Sequence, residues 1–305
     1  MPDTTLVILW LVLAHLVADF VLQNDWIALN KANGTAEGRR ALATHGLHVS
    51  LCLLPAVVAF GLPGLVYLVV VAVSHMFVDR WKVQATRRAD AAAQAAALAR
   101  WERQGGLPES GLGAAWSPWP GMLFLADQLL HMTFALVGWL VILGSVPLTG
   151  VWLDFVNLLF RNFDKATVHA VLVSAVVFVS VFLVNTRGAY YFVMALASPR
   201  DLKSVPGPDG SPGPAPEAAP NAVPVGASFR IEATVSAIER LLIVAFVLLG
   251  SVLAAAGVVA LRVAARWRQL ADRGYAEYFL VATLGSVAVA VASALLAAGA
   301  LATLS

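Results

Sequence analysis

Histidine and aspartate recur at helical spacing along this sequence: His15 with Asp19, His45 with His48, His75 with Asp79, and Asp127 with His131. Residues three or four apart share a face of a helix, so each pair presents both members toward one neighbour. Imidazole and carboxylate together are the usual donor set for zinc, manganese or non-haem iron. All four pairs lie in or beside strongly apolar runs, where a carboxylate costs a few kcal/mol unless it faces protein and has a partner. A metal would offset the burial of three carboxylates. One pair alone reads as a buried polar contact between helices, as when Asp79 pairs with Lys82. Four pairs at one depth read as a functional centre. The candidate metal ligands are His15, Asp19, His45, His75, Asp79 and His131. His48 and Asp127 are placed as a base or as support for the ligands, and Lys82 is placed to hold a phosphate. His169 has no acidic mate nearby in sequence and reads as an interfacial histidine, while Gln23, Asn30 and Lys31 could reach a lipid headgroup.

The elements that must position these groups are membrane spans. The 305 residues are 60% hydrophobic and only 12% charged, too apolar for a soluble domain and long enough for six to eight crossings. The net charge of +2 records topology and carries no nucleic-acid inference. The single cysteine, Cys52, excludes an intrachain disulfide and any cysteine-based metal motif. No basic residue precedes the first apolar run, so that run is expected to be retained. The expected spans are Leu6–Leu22, Leu47–Phe60, Leu65–Trp81, Met122–Val146, Val168–Val184, Leu241–Leu261 and Phe279–Leu301, the second and third joined as a tight hairpin through Gly61-Leu-Pro-Gly64. The fold class is therefore all-α, a polytopic transmembrane bundle of about seven spans.

With the N-terminus outside, the inner loops hold fourteen Lys and Arg and the outer loops six, which supports that orientation. Four of the six, Arg262, Arg266, Arg268 and Arg273, fall between the last two runs and fit poorly. Val83–Gln104 reads as a solvent-exposed helix, and Gly188–Ala197 as an interfacial one. Ser204–Pro224, rich in Pro, Gly and Ala, reads as a disordered linker. The expected domains are 1–200 with five spans and the His/Asp cluster, 201–229 as linker, and 230–305 as a two-span hairpin.

The pattern His15-x3-Asp19-Phe-x2-Gln23, His45-x2-His48, His75-x3-Asp79-x2-Lys82, Asp127-Gln128-x2-His131 resembles the bacterial membrane family catalogued as domain of unknown function 3307. Ile238-Glu-Arg240-Leu-Leu-Ile243 and Glu277–Leu284 extend the likeness to its longer members. The resemblance implies a fold, a site and the bacterial inner membrane, and brings no established reaction. The chain is also similar to membrane-bound metal-dependent hydrolases in placing His and Asp on the first few helices, an analogy of arrangement alone.

The expected function is hydrolysis of a lipid or lipid-linked substrate at the inner face, with zinc or manganese activating water. Two alternatives remain open: an ion- or proton-coupled transporter, which needs titratable groups on both sides of the midplane, and a non-catalytic scaffold working through its loops.

Overall fold

The computed structural model describes residues 3–31, 35–104, 112–200 and 227–304, and these form helices with no strand among them. Six helices are long and apolar enough to cross a membrane, close to the seven expected. The linker expected at Ser204–Pro224 lies outside the described residues.

The chain opens with α1 (Thr4–Val17), capped by the Asp3 carboxylate on the Leu6 amide and extended by a π turn, Ala18–Leu22. A short α2 (Asp25–Asn30) leads to α3 (Ala36–Phe60), started by the Thr35 hydroxyl on the Gly38 amide. α3 ends at Gly61, whose φ of +64° suits glycine, and α4 (Leu62–Gln104) begins at once. The Ala-rich stretch expected to be a separate helix is the continuation of α4. α5 (Trp119–Gly138) also ends in a π turn, Trp139–Leu143. α6 (Gly150–Phe160) was not expected; its eleven residues are too few to cross, and Thr149 ties its start to the Val58 and Ala59 carbonyls of α3. α7 (Lys165–Leu183) runs through a third π turn, Val184–Gly188, into α8 (Ala189–Ala197), so Gly188–Ala197 continues a helix instead of forming a separate interfacial piece.

The last third departs most from expectation. The apolar run Leu241–Leu261 is broken by a turn at Leu249–Ser251, where Gly250 has φ +72°. α9 (Ala227–Leu248) and α10 (Val252–Ala265) pack against each other as a hairpin, and Arg262 and Arg266 return to Glu239 and Glu232. α11 (Arg273–Leu301) follows. Because the run turns back, the four arginines that fitted poorly rejoin the side that α9 starts from.

The chain packs into two compact units, the first comprising Met1–Val83, Ala126–Val184 and Leu296–Ser305, the second Gln84–Leu125 and Asn185–Leu295. In the first unit α1, α3, α4 and α5 bury Leu11, Leu53, Phe60, Tyr67, Leu68, Trp139 and Leu143 around a common axis. Leu47, Leu51, Leu54 and Val58 of α3, and Val69, Val73 and Phe77 of α4, face outward and exposed. Apolar residues inside and outside make a bundle whose solvent is lipid.

Candidate metal centre

Beyond that apolar core, the same four helices carry the His/Asp pairs into one cluster. At about 1.5 Å of rise per residue, His15, Asp19, His45, His75, Asp79, Asp127 and His131 lie roughly 17–25 Å from the end of the bundle marked by Thr4, Phe60, Leu62 and Leu143. In a hydrocarbon layer of about 30 Å that is the far half. Asp19 sits in the π turn closing α1, an irregularity that often marks functional positions in helices.

Two histidines and two aspartates meet at the centre. His45 Nε2 is 3.0 Å from His75 Nε2, and Asp19 Oδ1 is 3.4 and 3.2 Å from the two nitrogens. Asp79 Oδ2 is 3.3 Å from His45 Nε2 and 3.8 Å from His75 Nε2. Beside them, His131 Nδ1 is 3.6 Å from Asp127 Oδ1. The imidazoles of His75 and His131 stack with centroids 3.8 Å apart, and that of His15 lies 5.2 Å from His131. Three overlapping sets could each hold a metal ion: Asp19, His45 and His75; Asp79, Asp127 and His131; and His15, His75 and His131.

A division runs through all three carboxylates. One oxygen of each is held from outside the cluster: Asp79 Oδ1 by Lys31 at 2.8 Å, Asp127 Oδ2 by Lys82 at 2.7 Å and by Gln128, and Asp19 Oδ2 by Gln128 at 3.4 Å. The other oxygens, Asp19 Oδ1, Asp79 Oδ2 and Asp127 Oδ1, are buried, face the histidines and have no hydrogen-bond donor. His131 follows the same rule. Its Nε2–H donates to the His75 carbonyl at 3.2 Å, which leaves Nδ1 a bare acceptor aimed at another bare acceptor, Asp127 Oδ1. Acceptors that converge without a donor call for a cation between them.

Lys31 and Gln128 are the residues sequence reasoning left without a role in the site. Lys31 caps α2, reaches back to Gln23 Oε1 at 2.7 Å, and then pairs with Asp79. Burial works against its charge, but the Asp79 carboxylate, with Asp19 behind it, more than compensates, and its pKa lies above the ordinary lysine value. The pairing of Asp79 with Lys82 is corrected: Lys82 reaches across to Asp127 instead. Gln128 accepts from His15 Nε2 at 3.1 Å while its amide serves Asp19 and Asp127, so one side chain ties α1 to α5. His48, from the second pair, belongs to none of the three sets, and its buried Nδ1 has no partner. His169 does have an acidic mate, Asp3, at 2.8 Å.

A family model described as "Protein of unknown function (DUF3307)" matches residues 7–160, half of the chain and every residue of this cluster, so the chain belongs to that family. No curated protein and no solved structure matches it.

Proposed function

We propose that this member of the DUF3307 family holds one or two divalent transition-metal ions between its first helices and uses them to hydrolyse a lipid or lipid-linked substrate at the inner face of the bacterial cytoplasmic membrane. The observation that carries the reading is the central trio of Asp19, His45 and His75. Four ligands about 2.0–2.1 Å from a tetrahedral zinc stand about 3.3 Å from one another. The distances among His45 Nε2, His75 Nε2 and Asp19 Oδ1 run from 3.0 to 3.4 Å, and Asp79 Oδ2 stands 3.3 and 3.8 Å from the two nitrogens. Hydrogen bonding alone leaves both carboxylate oxygens bare, whereas a cation among Asp19, His45 and His75 satisfies those three groups at once and lies beside Asp79.

When bound, the metal supplies an activated water and a Lewis acid for a carbonyl or phosphoryl oxygen. The chain's own residues do the rest. Lys31 and Gln128 fix the aspartates from behind, which keeps their free oxygens inward. Asp127 and His131 form either a second ion site or the base that takes a proton from water. Lys82, the least buried ion-pair partner of the cluster with its side chain 24% exposed, stands where a substrate phosphate would approach. His48 has no part in this arrangement. The apolar packing of Leu11, Leu53, Tyr67 and Leu143 on the other side of the cluster favours a site open to one face over a relay through the bilayer.

The test begins with elemental analysis of full-length protein extracted in mild detergent, where one or two zinc or manganese ions per chain are expected. The loaded protein is then incubated with extracted bacterial lipids and the products read by mass spectrometry, with Asp79→Asn as the inactive control. A stably folded protein that neither carries nor takes up metal would overturn the reading. Metal without product formation would retain the centre and discard the hydrolase.

A further inference from the structure

The second unit contains a charged cavity that the metal reading does not use. α9, α10 and α11 enclose, with α8, a space of about 60 Å³ lined by Tyr190, Ser236, Arg240, Arg262, Tyr278 and Ser286 among others. Glu232 also lines it and pairs with Arg266 at 3.1 Å. Arg262 pairs with Glu239 and bonds Ser236 and Thr283, each at 3.2 Å. Both of these arginines lie over the Phe279 ring, their guanidinium carbons 5.5 and 5.8 Å from its centroid.

Arg240 is different. It is 3% exposed, and its Nε–H donates to the Asn185 carbonyl at 2.7 Å and its Nη1–H to the Ser286 hydroxyl at 3.0 Å. Both partners are neutral, and no carboxylate of the described residues lies within ion-pair distance of it. Three guanidinium groups therefore share two carboxylates, which leaves one positive charge inside an apolar hairpin. An uncompensated buried charge costs several kcal/mol, and a guanidinium fork is shaped for the paired oxygens of a phosphate or carboxylate. A space of about 60 Å³ has room for a tetrahedral oxyanion. Ser236, Ser286, Tyr190 and Tyr278 line that space, and the two serine hydroxyls accept from Arg262 and Arg240.

We infer that the cavity bounded by Arg240 and Arg262 is a binding site for a single phosphate group, free or at the head of an anionic lipid. The test uses full-length protein in a neutral detergent and follows thermal unfolding. Inorganic phosphate is titrated in one arm and short-chain phosphatidic acid, below its own aggregation limit, in the other, with short-chain diacylglycerol as the phosphate-free control. A saturable rise in Tm with both phosphate probes identifies the group itself as the ligand; a rise with phosphatidic acid alone identifies a headgroup. Ala282→Leu fills the cavity without touching an ion pair, and Arg240→Lys keeps the charge but loses the fork. Each should raise the half-saturating concentration at least tenfold. No rise with either probe overturns the inference, and so does a rise that Ala282→Leu leaves unchanged, since the ligand would then bind elsewhere.

Discussion

Asp19→Asn separates a metal centre from a buried hydrogen-bond network more sharply than any other substitution. Asp19 has no lysine partner, so the change removes one charge without orphaning a cation and keeps the side chain's shape. Its Oδ1 and the Oδ2 of Asp79 both approach His45 Nε2, at 3.4 and 3.3 Å, so the two oxygens stand no farther apart than the sum of those distances. Two negative charges roughly 6 Å apart at an effective dielectric of about 20 repel by about 3 kcal/mol. In chelated protein at pH 8, Asp19→Asn should relieve that repulsion and melt several degrees higher than the wild type. With zinc present the order should reverse. A ligand at a hundred times its dissociation constant stabilises the native state by about 2.7 kcal/mol, and the variant, short of one of the three donors Asp19, His45 and His75, forgoes most of that. The assay is four thermal melts, wild type and variant, each with zinc and with chelator. If Asp19→Asn lowers Tm equally in both conditions, the carboxylate is a structural acceptor and the reasoning from bare oxygens fails.

Gln128→Ala should leave the helices assembled but weaken metal binding about 10- to 100-fold, since it releases the outer oxygen of Asp19 and leaves that of Asp127 to Lys82 alone; competition against a fluorescent zinc chelator measures this. Lys31→Met should destabilise the chelated protein by roughly 3 kcal/mol or more, because it strands a buried Asp79, whereas Lys82→Met, at a more exposed pair, should cost less; denaturant-dependent melts rank the two. Gly64→Ala should abolish folding, because a Cβ there would stand 2.1 Å from the Ala56 carbonyl oxygen, while Gly257→Ala, with open space around it, should be tolerated; detergent-stable yield after expression reads both.

The helical class and the convergence of the pairs were legible because both are written locally. A spacing of four puts His75 and Asp79 on one face whatever the tertiary fold, and the cost of a carboxylate in lipid says that face is inward. The ion pairs were not legible, because they are long-range choices: Lys82 lies one helical turn from Asp79 yet pairs with a residue 45 positions away. Lys31 enters only because α2 folds it back behind α4. His45 and His48 looked like a pair, but three residues differ by about 60° around a helix, and only His45 points into the cluster. The break at Gly250 left a trace in the sequence, the four arginines on the wrong side of the charge count, which hydropathy alone overrode. α6 left less, being apolar but too short to span.

The two lysines behind the cluster have a consequence for time as well as for equilibrium. Lys31 and Lys82 are its most exposed members, at 10% and 24%, while the side chains of His45, His75, Asp79 and Asp127 are 4% exposed or less. A dication travelling between water and the bare oxygens by the more exposed side would pass the Lys82 ammonium on the way in and again on the way out. The site would hold its ion tightly yet exchange it slowly, with loading easiest while the helices are still assembling. Brief dialysis against a chelator would then leave the centre filled, and stripping it would take partial unfolding, hours of incubation, or a lysine substitution that lowers the barrier.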